Sequence, residues 1–202
     1  MNESDAGSHP APRVIVAEDE AIIRLDLVET LREEGYDVVG QTGRGDETLQ
    51  LIAELEPDLA VLDVRMPGLD GIEVAREIVA NRSAAVLILT AYGQRDLVER
   101  AAEAGAMAYL VKPWQRNDLV PAIEMALARH REMLALAEQN EALTEQLEVR
   151  KLLDRAKGKL MDNFGMAEQD AFRFVQKGAM GSRRSMRDVA EAVLSGELSP
   201  DA

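Results

Sequence analysis

Asp63 follows the apolar run Leu59-Ala60-Val61-Leu62 and precedes Val64-Arg65-Met66-Pro67-Gly68, so a buried strand delivers one carboxylate into a tight loop. Glu18 and Asp19 end an earlier run, Arg13-Val14-Ile15-Val16-Ala17, in the same way. Thr90 ends a third run, 85–89, and Lys112-Pro113 ends a fourth, 108–111. Continuous apolar strands of this kind belong to parallel sheets, which keep their functional residues at the carboxyl ends of the strands. Three carboxylates, a hydroxyl and an ammonium therefore meet at one sheet edge. Clustered carboxylates need a cation. Glu18, Asp19 and Asp63 offer hard oxygen ligands suited to Mg²⁺, which keeps several waters and bridges phosphate oxygens. With that ion bound, the Asp63 carboxylate can attack a phosphoryl group to give an aspartyl phosphate, with Lys112 offsetting charge.

The elements that must position these groups alternate along the chain. Short β-rich runs at 13–17, 37–41, 59–62, 86–90 and 108–111 are separated by helical patterns near 20–34, 46–56, 72–81 and 96–104. Such alternation implies right-handed crossovers and an α/β doubly wound parallel sheet of five βα units. A fifth helix starts after Pro113, with Gln115 or Asn117 as its cap, and nothing stops it for a long way. Pro121 falls in its first turns, where a missing N–H is tolerated. Beyond it, Met133, Leu136, Asn140, Leu143 and Leu147 follow a 3-4-3-4 spacing, a short heptad seam with one polar member. The seam either packs on its own chain or sets the register of a dimer.

The loop Asp63-Val64-Arg65-Met66-Pro67-Gly68-Leu69-Asp70-Gly71 and the strand-end set Glu18, Asp19, Asp63, Thr90 and Lys112 resemble the receiver domain of two-component response regulators over residues 13–130. Singly, each residue has a plainer role: a helix cap for a strand-terminal Asp, a loop hydroxyl for Thr90, a solvated cation for Lys112, a core ring for Tyr109. The set together outweighs them. The resemblance implies the flavodoxin-like strand order 2-1-3-4-5 and a sensor histidine kinase as partner. It also implies Asp63 as phosphoacceptor and Mg²⁺ held by Glu18, Asp19, Asp63 and the Arg65 backbone carbonyl. It further implies a switch through Thr90 and Tyr109 and a cis bond between Lys112 and Pro113. Glu18 is a departure, since Asp is more frequent there; its longer arm alters the metal geometry without abolishing binding. Arg65 and Tyr92 flank the site and are expected to set phosphate lifetime.

At 202 residues, 47% hydrophobic and 30% charged, the chain has room for one well-buried domain and a smaller one. No cysteine is present, so disulfide and thiolate chemistry are excluded. The first ten residues carry no basic or apolar leader pattern, and no apolar stretch approaches a membrane span. A cytoplasmic protein is expected, with residues 1–12 a disordered tail. The net charge of −14 argues against nucleic acid, yet it is unevenly spread. Residues 149–196 hold ten Lys or Arg against six acids, a balance of +4 that leaves −18 to the rest.

After a helical linker at 131–148, three helix-sized patterns form a small all-α bundle over 149–198. The first carries Val149, Leu153, Ala156 and Leu160 and ends near Asn163-Phe164-Gly165. The second spans 167–177 and buries Ala171, Phe174 and Val175. The third starts at the capping pair Ser185 and Asp188 and stops at Gly196. The runs at 156–161, 168–175 and 185–190 resemble the ANTAR domain, an RNA-binding module of transcription antitermination regulators. That implies structured RNA hairpins as partner, with Lys157, Lys159, Arg173, Lys177, Arg183, Arg184 and Arg187 as candidate phosphate contacts, and a homodimer that forms on phosphorylation. Phe174 reads as core, while Phe172 could equally be a base-stacking platform. Ala167 stands where the family has a Ser or Thr cap, a loss of about 0.5–2 kcal/mol. A protein-binding or DNA-binding bundle is the competing reading; an autonomous enzyme is not expected, because the receiver set already accounts for Asp63.

Overall fold

The computed structural model describes residues 10–91 and 95–200, and the side chains at 95–97 are also outside the description. Tyr92 and the first nine residues of the expected tail lie outside the described residues. Elements run β1 Arg13–Ala17, α1 Ala21–Glu33, β2 Asp37–Thr42, α2 Gly45–Leu55, β3 Leu59–Asp63, α3 Gly71–Asn81, β4 Ala85–Ala91, α4 Arg95–Glu103, β5 Ala108–Lys112, α5 Arg116–Phe164, α6 Glu168–Ser182 and α7 Met186–Ser195. The five strands pair in parallel in the order β2-β1-β3-β4-β5, the flavodoxin-like topology. Pro12 is tied in, its carbonyl accepting from the Asp37 N–H at 3.0 Å.

Helices cover both faces of the sheet, which explains why its strands read as unbroken apolar runs. Val14, Val16, Leu59, Val61, Leu87 and Leu89 pack with Leu27 and Leu31 of α1 and Leu119, Ile123 and Ala126 of α5. Their alternate neighbours Ile15, Ala17, Ala60, Leu62, Val86 and Ile88 pack with Ile52 of α2, Ile72 and Ile78 of α3, and Ala101 and Ala104 of α4. Each large side chain removed from water this way contributes on the order of 1.5–3 kcal/mol. A separate cluster joins Ala156 and Leu160 of α5, Ala171 and Val175 of α6, and Val189, Ala190 and Val193 of α7.

The chain divides into two compact units, Met1–Leu134 and Ala135–Ala202. The linker and the first bundle helix are not separate elements: α5 is one helix of 49 residues, and the bundle is its C-terminal part with α6 and α7. The reason lies in its composition. Pro121 is its one proline and Gly158 its one glycine, and the i,i+3 pairs Glu148–Lys151 and Asp154–Lys157 support the stretch where the linker meets the bundle. It ends where the left-handed Gly165 (φ 65°) stops it. Of the two roles open to the seam, Met133 takes the first: it packs against the sheet core of its own chain, and the exposed stripe begins at Leu136.

His130, on α5, is buried and its Nδ1 finds no partner among the described residues. Burial holds its pKa below the ordinary 6.5, opposed by the charge of Asp58. The unfolded chain therefore binds the proton more readily than the folded one. The stabilisation from a neutral His130 is complete above the unfolded value and is lost as pH falls through it toward the lowered folded value. Thermal melts at about pH 7.5 and about pH 5.5 should show a larger acid-side loss for wild type than for His130→Leu; equal losses refute the assignment.

Candidate functional site

The carboxyl ends of β1, β3, β4 and β5 converge as their register requires, with Ala17 beside Leu62, Asp63 beside Leu89 and Ala91 beside Lys112. Lys112 Nζ donates to Glu18 Oε2 and to Asp63 Oδ1, both at 2.6 Å, although the chain separates these residues by 94 and 49 positions. The second Asp63 oxygen accepts the Arg65 N–H at 2.8 Å, while the Arg65 side chain is exposed. Two donors thus fix the carboxylate's orientation. Glu18 is fully buried, Asp63 is buried and Asp19 is exposed at the mouth.

Burial raises the Glu18 pKa more than its hydrogen bond to Lys112 lowers it, and the Asp63 charge adds to the rise. Burial acts to lower the Lys112 pKa, but its bonds to Asp63 and Glu18 outweigh it and leave the ammonium above its ordinary value. One cation is thereby shared by two carboxylates. Ligand atoms of Glu18, Asp19 and Asp63 lie within 4.8 Å of one another, and Glu18 Oε1 is buried without a hydrogen-bond partner among the described residues. An all-oxygen donor set with a surplus of negative charge and one unsatisfied buried oxygen fits a hard divalent cation.

Thr90 is buried and its hydroxyl has no partner among the described residues. Tyr109 is 53% exposed, against the plainer reading of it as a core ring. It lines an open cavity of about 470 Å³ between β5 and α5 with Met107, Pro121 and Met125. The Lys112–Pro113 bond is cis.

Three supports of the site were not singled out from sequence. Arg24 donates to the Glu18 carbonyl and so holds the loop that carries Asp19. Asp70 and Glu73 form a reciprocal capping box at the start of α3, a signal present in the spacing Asp70-x-x-Glu73. Gly71 lies so close to the Asp63 carbonyl that an added Cβ would stand 1.9 Å from its oxygen.

The candidate cations of the C-terminal unit separate into several settings. Lys159 Nζ donates to the Leu194 carbonyl at 2.8 Å and so satisfies the C-terminal end of α7, a structural post rather than an exposed phosphate contact. Lys157 bridges Asp154 and Glu168 at 2.8 and 3.0 Å. Arg173, Arg184 and Arg187 are exposed beside Asp170, Glu197 and Glu191. Lys177 is exposed, and so is Arg183, the left-handed C-cap of α6. The Ser185–Asp188 capping box forms at α7, whereas Ala167 gives α6 no side-chain cap. Phe174 packs against the bundle core, and Phe172 is 42% exposed.

Comparison with known proteins matches residues 14–124 to the response regulator receiver domain and residues 141–194 to the ANTAR domain. The chain is 53% identical to the transcriptional regulatory protein PdtaR of Mycobacterium tuberculosis, covering 95% of this chain and 93% of that protein. It is 34% identical to the chemotaxis protein CheY of Thermotoga maritima over 55% of this chain and 93% of CheY. Among solved structures, the signal receiver domain of a modulated diguanylate cyclase from Desulfovibrio desulfuricans superposes with a TM-score of 0.57 at 30% identity, covering 61% of this chain and 98% of that one.

Proposed function

Because the chain belongs to the response regulators, with a receiver domain followed by an ANTAR domain, we propose that a sensor histidine kinase phosphorylates it on Asp63, and that the phosphate controls the binding of its C-terminal bundle to RNA hairpins. The observation that carries this reading is the Lys112 ammonium held at 2.6 Å from both Glu18 and Asp63, in a chain that also bears an ANTAR domain. An Asp63 oxygen attacks phosphorus, and the bond from phosphorus to the donor nitrogen breaks with its electron pair going to the leaving imidazole. Lys112 and the Arg65 amide hold the attacking carboxylate in one orientation. Glu18, Asp19 and Asp63, with the Arg65 carbonyl, would hold Mg²⁺, which when bound offsets phosphoryl charge. Thr90, its hydroxyl unpaired among the described residues, donates to a phosphoryl oxygen, and Tyr109 moves with it from its exposed position.

The output follows from α5. Leu136, Leu143 and Leu147 are each 58% exposed and flank the exposed Asn140, a stripe suited to a second copy once phosphate favours pairing. Two bundles held together grip two hairpins with an affinity that neither has alone, and so prevent a terminator from forming. We assign the receiver to 13–130, the linker to 131–148 and the RNA-binding part to 149–198, and place the protein in the cytoplasm, where kinase and nascent transcript are both present. The test is a gel-shift series with a two-hairpin RNA, a scrambled RNA and duplex DNA, before and after treatment with a small phosphodonor and Mg²⁺. The phosphorylated protein should bind the two-hairpin RNA at least tenfold better than the untreated one. Equal affinity for all three nucleic acids, or no binding in either state, refutes the reading.

A further inference from the structure

We propose that the cleft between the C-terminal part of α5 and the first turns of α6 holds one unpaired base of RNA, with the RNA backbone running along α5. The inference rests on the RNA-binding reading above and names the element of RNA that the bundle reads.

The first observation is where the positive charge sits. Residues 149–160, all on α5, carry Arg150, Lys151, Arg155, Lys157 and Lys159 against Asp154, a balance of +4. Residues 161–196 carry five cations and five acids. The whole positive excess of residues 149–196 is therefore on one helical segment, not around the entry to α7. Arg150, Lys151 and Arg155 are exposed, and a polyanion that tracks them releases counterions from its phosphates.

Gly158 lies near the C-terminal end of this segment, between Lys157 and Lys159. Glycine inside a helix is unfavourable by about 1 kcal/mol relative to alanine, so its presence calls for a reason. Gly178 has one within the bundle, because an added Cβ there would stand 3.0 Å from Val189 Cγ1. Gly158 has none among the described residues, since beyond its own helical turn a Cβ there would meet none of their atoms within 4 Å. Open space over a helix-interior glycine on a cationic face suits a second backbone that approaches closely. The surrounding cations make that backbone a phosphodiester.

Beside this segment is a cleft of about 340 Å³ lined by Lys157, Glu168, Gln169, Phe172 and Arg173. Phe172 presents its ring there, 42% exposed, although Phe174 two residues on is drawn into the core. A ring at the wall of a polar cleft offers a stacking face that any base can use. Glu168 is held in place by Lys157 at 3.0 Å, and its carboxylate can accept from the amino or imino groups of a base. The Gln169 amide can both donate and accept at the same edge. Arg173 is exposed for the flanking phosphate. An unpaired base supplies a face, an edge and a phosphate together, which a duplex does not.

The test uses the full chain and the two-hairpin RNA, intact or with a single abasic site at each loop position in turn. Wild type should lose about tenfold in affinity at one loop position. Phe172→Ala should lose about tenfold on intact RNA and be indifferent to the abasic site there, while Phe172→Tyr restores wild-type behaviour. Gly158→Leu should raise the thermal stability of the bundle yet weaken binding at every loop position, so the loss cannot come from unfolding. The proposal is overturned if no abasic position affects wild type, or if Phe172→Ala binds intact RNA as wild type does. Either result leaves RNA binding itself standing. Absence of binding by wild type to any RNA in either phosphorylation state overturns the RNA reading with it.

Discussion

Asp63→Asn should take up no phosphoryl group from a small phosphodonor, whereas wild type gains one phosphoryl mass in the presence of Mg²⁺ and none after EDTA. The substitution keeps the size of the side chain and removes the attacking oxygen's charge. Lys112 retains its bond to Glu18 and the sheet core is untouched, so the fold should persist. The lost uptake then reports chemistry and not collapse. With the phosphate gone, the gain in RNA affinity on phosphodonor treatment should vanish as well. Intact-mass spectrometry reads the first effect and gel shift the second. Label that persists in Asp63→Asn places the acceptor elsewhere, and uptake that ignores EDTA removes the metal from the reaction.

Gly71→Ala should have the second largest effect, through position alone. A Cβ at residue 71 would stand 1.9 Å from the Asp63 carbonyl oxygen and 3.2 Å from the Val64 Cα, both backbone atoms that no rotamer change can clear. Either α3 retreats or the loop that follows β3 shifts. The Gly71 N–H bond to the Val64 carbonyl at 2.9 Å and the capping box of Asp70 and Glu73 would be disturbed with it. Overpacking of this kind costs about 1–3 kcal/mol. The loop also carries the Arg65 amide that holds the second Asp63 oxygen, so phosphorylation should slow by tenfold or more even where the domain remains folded. Denaturant titration gives the stability change and phosphorylation kinetics the rate. A variant with wild-type values of both would show that the loop is free to move.

Local pattern alone determined the elements of this protein and the residues at their ends. The runs 59–62 and 85–89 read as buried strands because both faces of the sheet are covered, and burial on both faces erases the alternation of a half-exposed strand. The chemical types of Glu18, Asp63 and Lys112, their strand-end positions and the Ser185–Asp188 cap were all legible within a few residues of each. Tertiary structure decided what those groups do to one another. That Lys112 divides its charge between Glu18 and Asp63 depends on the β2-β1-β3-β4-β5 order, which joins residues 94 and 49 positions apart. Tyr109 is exposed although it lies in a strand, and Phe172 is exposed where Phe174 is not, because each outcome depends on which neighbour covers that face. The same holds for Lys159, a surface cation by type that is drawn to the end of α7 by a carbonyl 35 residues away. The continuity of α5 lies between the two cases. Its lack of a breaker is written in the sequence, but only packing of its last turns against α6 and α7 shows that one helix serves both units. Local propensity carries information over one or two turns, whereas partners for buried charge and exposed rings are supplied by segments that only the fold brings near.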